Sequence, residues 1–426
     1  MDPRPREATQ VGAPQPCAEN PASDTCGLYS GSVEADEVTG ARDSRRFVYL
    51  DHNATTPVDP RVLDAMLPFL ERDFGNPSSQ HSFGGRASDA VREARQRVAA
   101  LLHAAPSEII FTSGATESIG AVLRATTIDC RESPGHLAVG STEHPAVLGT
   151  ARYLVSKGCV VDYVGVDGDG VLLTEELEKS VANGAHIVSV MAANNETGVI
   201  SPMATVRSIC TTYGALFHCD ATQIVGKLPF SVDDAGVDFA SMSAHKLYGP
   251  KGVGALFIRR GIRGDFSPLL YGGGQEQGLR SGTLNVPGIV GFGVAAALAS
   301  SERDGEGRRL AELQHLLLSL LRTLPTCVSV NGGDAAKLPG TLNVAFQGID
   351  AEALLARLPD IALSTGSACA SAVPGPSPVL LAMGQDEDKA SSAVRFSLGR
   401  FTSADDILYV VGRIRAETAA IAQFVA

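Results

Sequence analysis

The chain has no run of about 18 apolar residues, so no membrane-spanning helix is expected. It has no basic stripe, and its formal net charge is −12; both argue against nucleic acid as a main partner. Its eight cysteines are Cys17, Cys26, Cys130, Cys159, Cys210, Cys219, Cys327 and Cys369. None form a C-x-x-C pair, so no structural zinc site is expected, and no metal is assigned. Scattered thiols in a chain without a signal peptide suggest a reducing compartment. There is no internal repeat. An acid-poor organelle presequence is also missing, because Met1 to Arg46 carries eight acidic and five basic residues. Cytoplasmic residence follows as the expectation.

The chain does have 426 residues, 44 % of them hydrophobic and 19 % charged. That is enough for a large core with a second domain packed on it. Pro, Gly, Ala, Ser and Glu dominate residues 1–46 without apolar periodicity, which reads as a disordered tail. Order begins with a short strand at Phe47–Leu50. From Ile109 to Asp220, buried strands alternate with amphipathic helices. The strands fall at 109–111, 137–139, 160–164, 187–191 and 216–220, and the helices at 146–155, 174–181 and 203–213. This alternation predicts an α/β fold whose sheet is largely parallel, with helices on both faces. After Val286 the pattern changes to helices at 290–299 and 308–324, strands at 342–346 and 393–398, and a last helix at 404–420. The expected division is a large domain over residues 61–300 and a smaller α+β domain formed by residues 47–60 and 301–426.

The chemistry collects at strand ends. Ser243–Gly252 lies between two buried strands and carries Lys246. A lysine held there can be desolvated and made a Schiff-base nucleophile. Asp220 ends another apolar strand. A lysine for an aldehyde and an aspartate for a pyridinium nitrogen are the pair that pyridoxal 5′-phosphate (PLP) requires. Phe111–Ser118 runs from a strand through a Gly turn into a helix expected to start at Ser113, where the exposed amides, with Thr and Ser hydroxyls beside them, form an anion cradle. It is not a P-loop, since no Gly-Lys-Ser/Thr follows.

His144 follows a strand, where it can stack on a flat ring or move a proton. Asn195 and Gln223 sit where amides can reach a ring hydroxyl. Each has a plain structural explanation when taken singly; a whole set of strand ends suited to one planar, phosphorylated, hydroxylated cofactor is hard to ascribe to chance. The Gly-rich segment Gly272–Thr283 can reach a phosphate in its own or a neighbouring subunit. Cys369 sits near the centre of a small-residue loop closed by Pro374 and Pro376, where a thiol is available as a nucleophile. Arg395 is a lone charge in an apolar strand, suited either to a substrate carboxylate or to a structural ion pair.

These motifs together resemble the NifS/IscS-type (class I) cysteine desulfurases, of the class-V aminotransferase superfamily of fold-type I PLP enzymes. The blocks are YLDHNATTP, FGNPSSQHSFG, FTSGATES, TEHPAVL, NNETGV, HCDATQIVGKLP, SAHKLYGPKG, GGGQEQGLRSGT, STGSACAS and RFSLGR, between about Val48 and Arg400. The resemblance implies a mostly parallel seven-stranded sheet and a PLP cofactor. It makes Lys246 the Schiff-base residue, Asp220 the ring-nitrogen partner and His144 the stacking ring. Asn195 and Gln223 would face the ring oxygen. Ala115, Thr116, Ser243 and His245 would hold the phosphate, with Thr283 contributed by the second subunit of a homodimer. Arg395, helped by Asn76 or Asn53, would bind the carboxylate of L-cysteine, and Cys369 would take the sulfur for delivery to an acceptor protein, as in iron–sulfur cluster assembly or thiolation. Selenocysteine lyase shares fold and cofactor and stands as the rival; a non-catalytic sulfur-transfer scaffold is a more distant one.

Overall fold

The computed structural model describes residues 46–129, 134–366 and 375–425. The predicted tail and Cys369 lie outside the described residues. Twelve strands occur among those described: β1 (Val48–Tyr49), β2 (Ile109–Thr112), β3 (His136–Gly140), β4 (Val160–Val164), β5 (Ile187–Met191), β6 (Leu216–Asp220), β7 (Phe239–Ser243), β8 (Gly254–Ile258), β9 (Val328–Val330), β10 (Thr341–Phe346), β11 (Ile361–Ala362) and β12 (Ala393–Ser397).

Seven of them form one sheet in the order β2-β8-β7-β6-β5-β3-β4. Only β8 runs against the rest, pairing antiparallel with both β2 and β7. The sheet is buried on both faces, as a parallel sheet must be. Its side chains divide strictly by the two-residue period of a strand. Ile109, Phe111, Val188, Val190, Ala240 and Met242 enter one hydrophobic cluster. Ile110, Leu137, Val139, Ile187, Phe239 and Leu256 enter another on the opposite face. The first cluster is covered by the helices Pro60–Glu71, Ser82–Leu102, Thr174–Ala182 and Met203–Tyr213; the second by Ala115–Arg124 and Pro145–Ser156. His218 is the polar exception at the middle of β6. It is fully buried and bonds the hydroxyls of Ser189 on β5 (2.8 Å) and Ser241 on β7 (2.9 Å).

A three-stranded antiparallel sheet, β12-β10-β9, and the parallel pair β1-β11 make up the remainder. Their apolar side chains share a separate cluster with Leu310, Leu317, Ile407 and Ile414. Asp51 bridges to Ser397, so the first ordered segment joins this second sheet.

The two helices expected at 290–299 and 308–324 are one helix, Val286–Leu321. At 1.5 Å per residue it is about 54 Å long. The polar stretch Ser300–Gly307, with its two glycines, reads as a break in sequence. Tertiary ion pairs hold it helical instead. Glu302 binds Arg61 at 2.5 Å, and Glu306 binds Arg400 at 3.1 Å. These contacts offset a helix penalty of about 1 kcal/mol per glycine. The helix then packs on one cluster through Ile289, Phe292 and Ala296 and on the other through Leu310, Leu313 and Leu317. The helix expected from Ser113 begins at Ala115, with Gly114 at its cap position. Short elements unmarked by periodicity also appear: β9, β11 and the helices Ala351–Ala356, Pro378–Ala382 and Glu387–Ser391.

Candidate active site

Strands β2, β3, β5, β6 and β7 deliver their carboxyl ends to one edge of the sheet, where ligands bind in open α/β folds. A cavity of about 450 Å³ opens there. Of the residues singled out in sequence, Asn53, Ala115, Thr116, His144, Asn195, Asp220, Gln223, Ser243, His245 and Lys246 all line it. Thr55, Thr222, Lys251 and Gly252 line it too and were missed. Thr222 has a signal in hindsight, since an Asp-x-Thr at a strand end is an Asx turn: Asp220 Oδ1 accepts the Thr222 amide at 3.0 Å.

Lys246 is buried, 9 % exposed, in a short helical turn directly after β7. Its Nζ donates to the carbonyls of Asn53 and Ala54, both at 2.6 Å. Asp220 is 5 % exposed at the end of β6. Behind it, burial drives the Glu143 carboxyl well above its ordinary pKa, and the charge of Asp220 adds to that. Glu143 Oε1 accepts the Met191 amide at 2.5 Å.

The imidazole of His144 is held neutral because burial lowers its pKa, and the charge of Lys246 adds to that while Asp220 opposes it. Its Nδ1 accepts the Ala146 amide at 3.1 Å, capping the helix Pro145–Ser156. The neutral ring therefore carries its proton on Nε2 and presents a donor to the cavity. His245 is pushed down to about 4, chiefly by burial and then by Lys246.

At the β2 end, the Ser113 amide is taken by Glu117 Oε2 at 2.8 Å and the Gly114 amide by Thr112 Oγ1 at 3.4 Å. The next two amides, of Ala115 and Thr116, are first-turn donors with no intrahelical acceptor. Together with Ser243 and His245 they form a cradle of neutral donors suited to one phosphate group.

Three predicted residues stand apart from the cavity. Arg395, 1 % exposed on β12, lies one residue behind it. Its Nη2 binds Asp51 Oδ1 at 2.6 Å and its Nη1 donates to the Asn195 carbonyl at 3.2 Å, while its buried Nε has no partner. Asn76 is exposed and its Oδ1 caps the Ser78 amide within its own turn. Thr283 is exposed at the end of the Gly-rich segment. That segment is anchored beside the cradle: Glu276, 6 % exposed and in the left-handed region at φ 49, accepts two bonds from Arg95 and one from the Phe111 amide.

Described residues on either side of the segment that contains Cys369 converge on Glu196, which is buried. Ser377 donates to Glu196 Oε2 at 2.5 Å, and Gly366, at φ +93, packs so closely on the same carboxyl that a side chain there would be strained and would force the carboxyl to move. Among the described cysteines, Cys159, Cys210 and Cys219 are buried and Cys327 is exposed. Burial pushes the Cys210 thiol up to about 12 and Cys219 well above its usual range, which makes both poor nucleophiles.

Comparison with known proteins points the same way. The family model described as aminotransferase class-V matches residues 48–410. A cysteine desulfurase IscS of Anaeromyxobacter sp. (strain Fw109-5) is 48 % identical over 365 residues, covering 85 % of this chain and 90 % of that relative. A mitochondrial cysteine desulfurase of Arthroderma benhamiae is 46 % identical over 398 residues, 92 % of this chain and 78 % of the relative. Among solved structures, a NifS-like protein superposes with a TM-score of 0.82 at 40 % identity, covering 88 % of this chain and 99 % of the other. SspA in complex with cysteine gives 0.74 at 35 % identity, covering 84 % and 100 %.

Proposed function

The chain belongs to the class-V aminotransferase family, and from that premise we infer that it is a PLP-dependent cysteine desulfurase that converts L-cysteine to L-alanine. The observation that carries this reading is one cavity holding a buried lysine, a buried strand-end aspartate and a cradle of unfilled amides. Selenocysteine lyase is not favoured, since the relatives compared are cysteine desulfurases.

The residues present fit the cofactor. The Thr222 hydroxyl is buried in the cavity wall without a partner, and a buried polar group of this kind calls for one. The acceptor-only carboxylate of Asp220 suits a protonated ring nitrogen, and the donors at Ala115, Thr116, Ser243 and His245 suit a phosphate. Lys246 would hold the aldehyde carbon, Asn195 and Gln223 the ring oxygen, and His144 the ring face. Thr283, exposed here, would serve a second subunit of a homodimer. PLP, when bound, supplies an electrophilic carbon for an amine and a ring that takes up the electron pair released at the substrate α-carbon.

The chain's own residues would do the rest. Arg395 would bind the substrate carboxylate, its buried Nε being the guanidinium nitrogen that lacks a partner. Of the two asparagines named as its helpers, Asn53 lines the cavity and Asn76 does not, but the Asn53 Nδ2 already serves the Asn195 carbonyl and Thr341. The Lys246 amine takes the α-proton and returns a proton later. A Cys369 thiolate attacks the substrate sulfur: the new S–S bond forms as the Cβ–S bond breaks, its electron pair stays on Cβ, and Cβ takes a proton. Alanine leaves, and the sulfur remains as a persulfide on Cys369. His144, whose Nδ1 is already occupied, acts as a donor beside the ring rather than as the base for the thiol, a role its sequence position had also allowed. The expected acceptor is a sulfur-carrying partner protein, as in iron–sulfur cluster assembly. No described helix is long and apolar enough to cross a membrane. Cytoplasmic residence is part of this proposal; the Arthroderma benhamiae relative is named as mitochondrial.

The test is an assay of the purified protein with L-cysteine and L-selenocysteine side by side. Alanine should form from cysteine, in a yellow protein. Lys246→Ala should be colourless and inactive. A wild-type protein inert to cysteine but fast on selenocysteine would overturn the assignment.

A further inference from the structure

Behind the cavity lies a second lysine that the reaction above does not use. Lys227 lines a narrow space of about 30 Å³ that shares Asn53 and Lys246 with the main cavity. The residue keeps some accessible surface, but its amine is enclosed by protein. Among the described residues it has no ion-pair partner. Its Nζ donates instead to two amide oxygens, Asn53 Oδ1 and Gln223 Oε1, both at 2.8 Å. Asn53 and Gln223 are both walls of the main cavity.

The hydrogen-bond chemistry here admits one orientation. The charged lysine has only donors to give, and both amides turn their oxygens toward Lys227. On its other side, Asn53 Nδ2 donates to the Asn195 carbonyl at 3.2 Å and to Thr341 Oγ1 at 3.0 Å; Gln223 Nε2 donates to the Asn53 carbonyl at 3.1 Å. A carbonyl can only accept, so neither amide can flip without setting oxygen against oxygen. That same Asn53 carbonyl takes a bond from Lys246. One asparagine is thus bracketed by both amines.

We propose that Lys227 is a positioning residue for the desulfurase reaction: from behind the pocket it fixes the amides of Asn53 and Gln223 with their oxygens turned away from the reacting groups, and its charge keeps a neighbouring cation at Lys246 unfavourable. This rests on the PLP-enzyme reading of the pocket. The electrostatics support it. Burial first, then the charges of Lys246 and Arg395, push Lys227 down to about 7, with Glu306 opposing. The charged or titratable groups facing it are therefore Lys246, Arg395 and Glu306, with His52, Tyr248, Arg303 and Arg400 lining the same narrow space. A second cation close by is an established way to make a lysine amine a better nucleophile.

The experiment compares wild type, Lys227→Met and Lys227→Arg as holoenzymes. The first readout is the pH midpoint of the bound cofactor's visible absorbance change, measured without substrate. With methionine the repulsion is lost, which favours the protonated form of the Lys246 nitrogen, so the midpoint should rise by about one pH unit. Arginine keeps donors and charge, so its midpoint should stay at or below that of wild type. The second readout is kcat/KM for L-cysteine, expected to fall about tenfold or more for methionine and to be largely restored by arginine. An unchanged midpoint and kcat/KM in Lys227→Met, with the wild type yellow and active, would overturn the proposal alone. So would equal displacement in both variants, or loss of the fold in both, which would mark a purely structural lysine. A wild type with no visible band would sink the reading of the pocket itself.

Discussion

Replacing Arg395 by lysine isolates its proposed contact with the substrate carboxylate. In the structure the guanidinium is divided three ways: one nitrogen on Asp51 at 2.6 Å, one on the Asn195 carbonyl at 3.2 Å, and a buried Nε left open. A lysine ammonium can keep the Asp51 pair, so no buried charge is stranded and the fold should survive. It cannot reproduce the planar fork that serves a wall carbonyl and a carboxylate together. The loss is one charge-assisted hydrogen bond, about 1.5–3 kcal/mol. At about 1.36 kcal/mol per decade, kcat/KM for L-cysteine should fall roughly 10- to 160-fold. Product inhibition by L-alanine should weaken by the same factor, because alanine keeps the carboxylate and lacks the sulfur. The assay is alanine formation at subsaturating cysteine, with thermal unfolding as the control for folding. An Arg395→Lys enzyme with unchanged kcat/KM and a lowered Tm would refute the contact and leave only the structural ion pair with Asp51.

Cys369→Ser should abolish sulfur transfer from cysteine and leave cofactor binding intact, since Lys246 and Asp220 are untouched; full cysteine activity in that variant would remove Cys369 from the mechanism. The protein should be a homodimer whose partner completes the phosphate site through Thr283, and light scattering that finds an active monomer would defeat this. Acid should destabilise the fold partly through His218, which burial pushes from its ordinary value down to about 4. The native state keeps this ring neutral while the unfolded chain protonates it, so its contribution is full above about pH 6.5 and is lost as pH falls toward about 4, on the order of 3 kcal/mol in total. His218→Asn should flatten the stability–pH curve in that window, and an unaltered slope would show that other groups carry the acid response.

The strand-end chemistry was legible in sequence because it is local. A buried strand needs a run of apolar side chains, and the polar residue that ends the run must sit at the sheet edge; Asp220, Ser243 and Lys246 were placed by that rule alone. The break expected at Ser300–Gly307 failed for the opposite reason. Its helicity depends on Arg61 and Arg400, far away in the chain, and no window of sequence contains those partners. The short strands β9 and β11 escaped notice because two or three residues cannot show a period, and pairing with β10 and β1 defines them.

By itself, then, the sequence determined which residues could carry charge, thiol or amine, and the two-residue and helical periods that sort them into a doubly covered sheet. Only the tertiary structure decided which of those groups meet. It set Arg395 on Asp51 and the Asn195 carbonyl, left Asn76 on an outer turn, and brought Lys227 against the amides of two cavity walls. The physical reason is that periodicity assigns a side chain to a face, a one-dimensional property. Hydrogen-bond partners and pKa values depend instead on what packs within a few ångströms, and for Lys227 those neighbours include a residue far off along the chain: Asn53 and Lys227 are separated by 174.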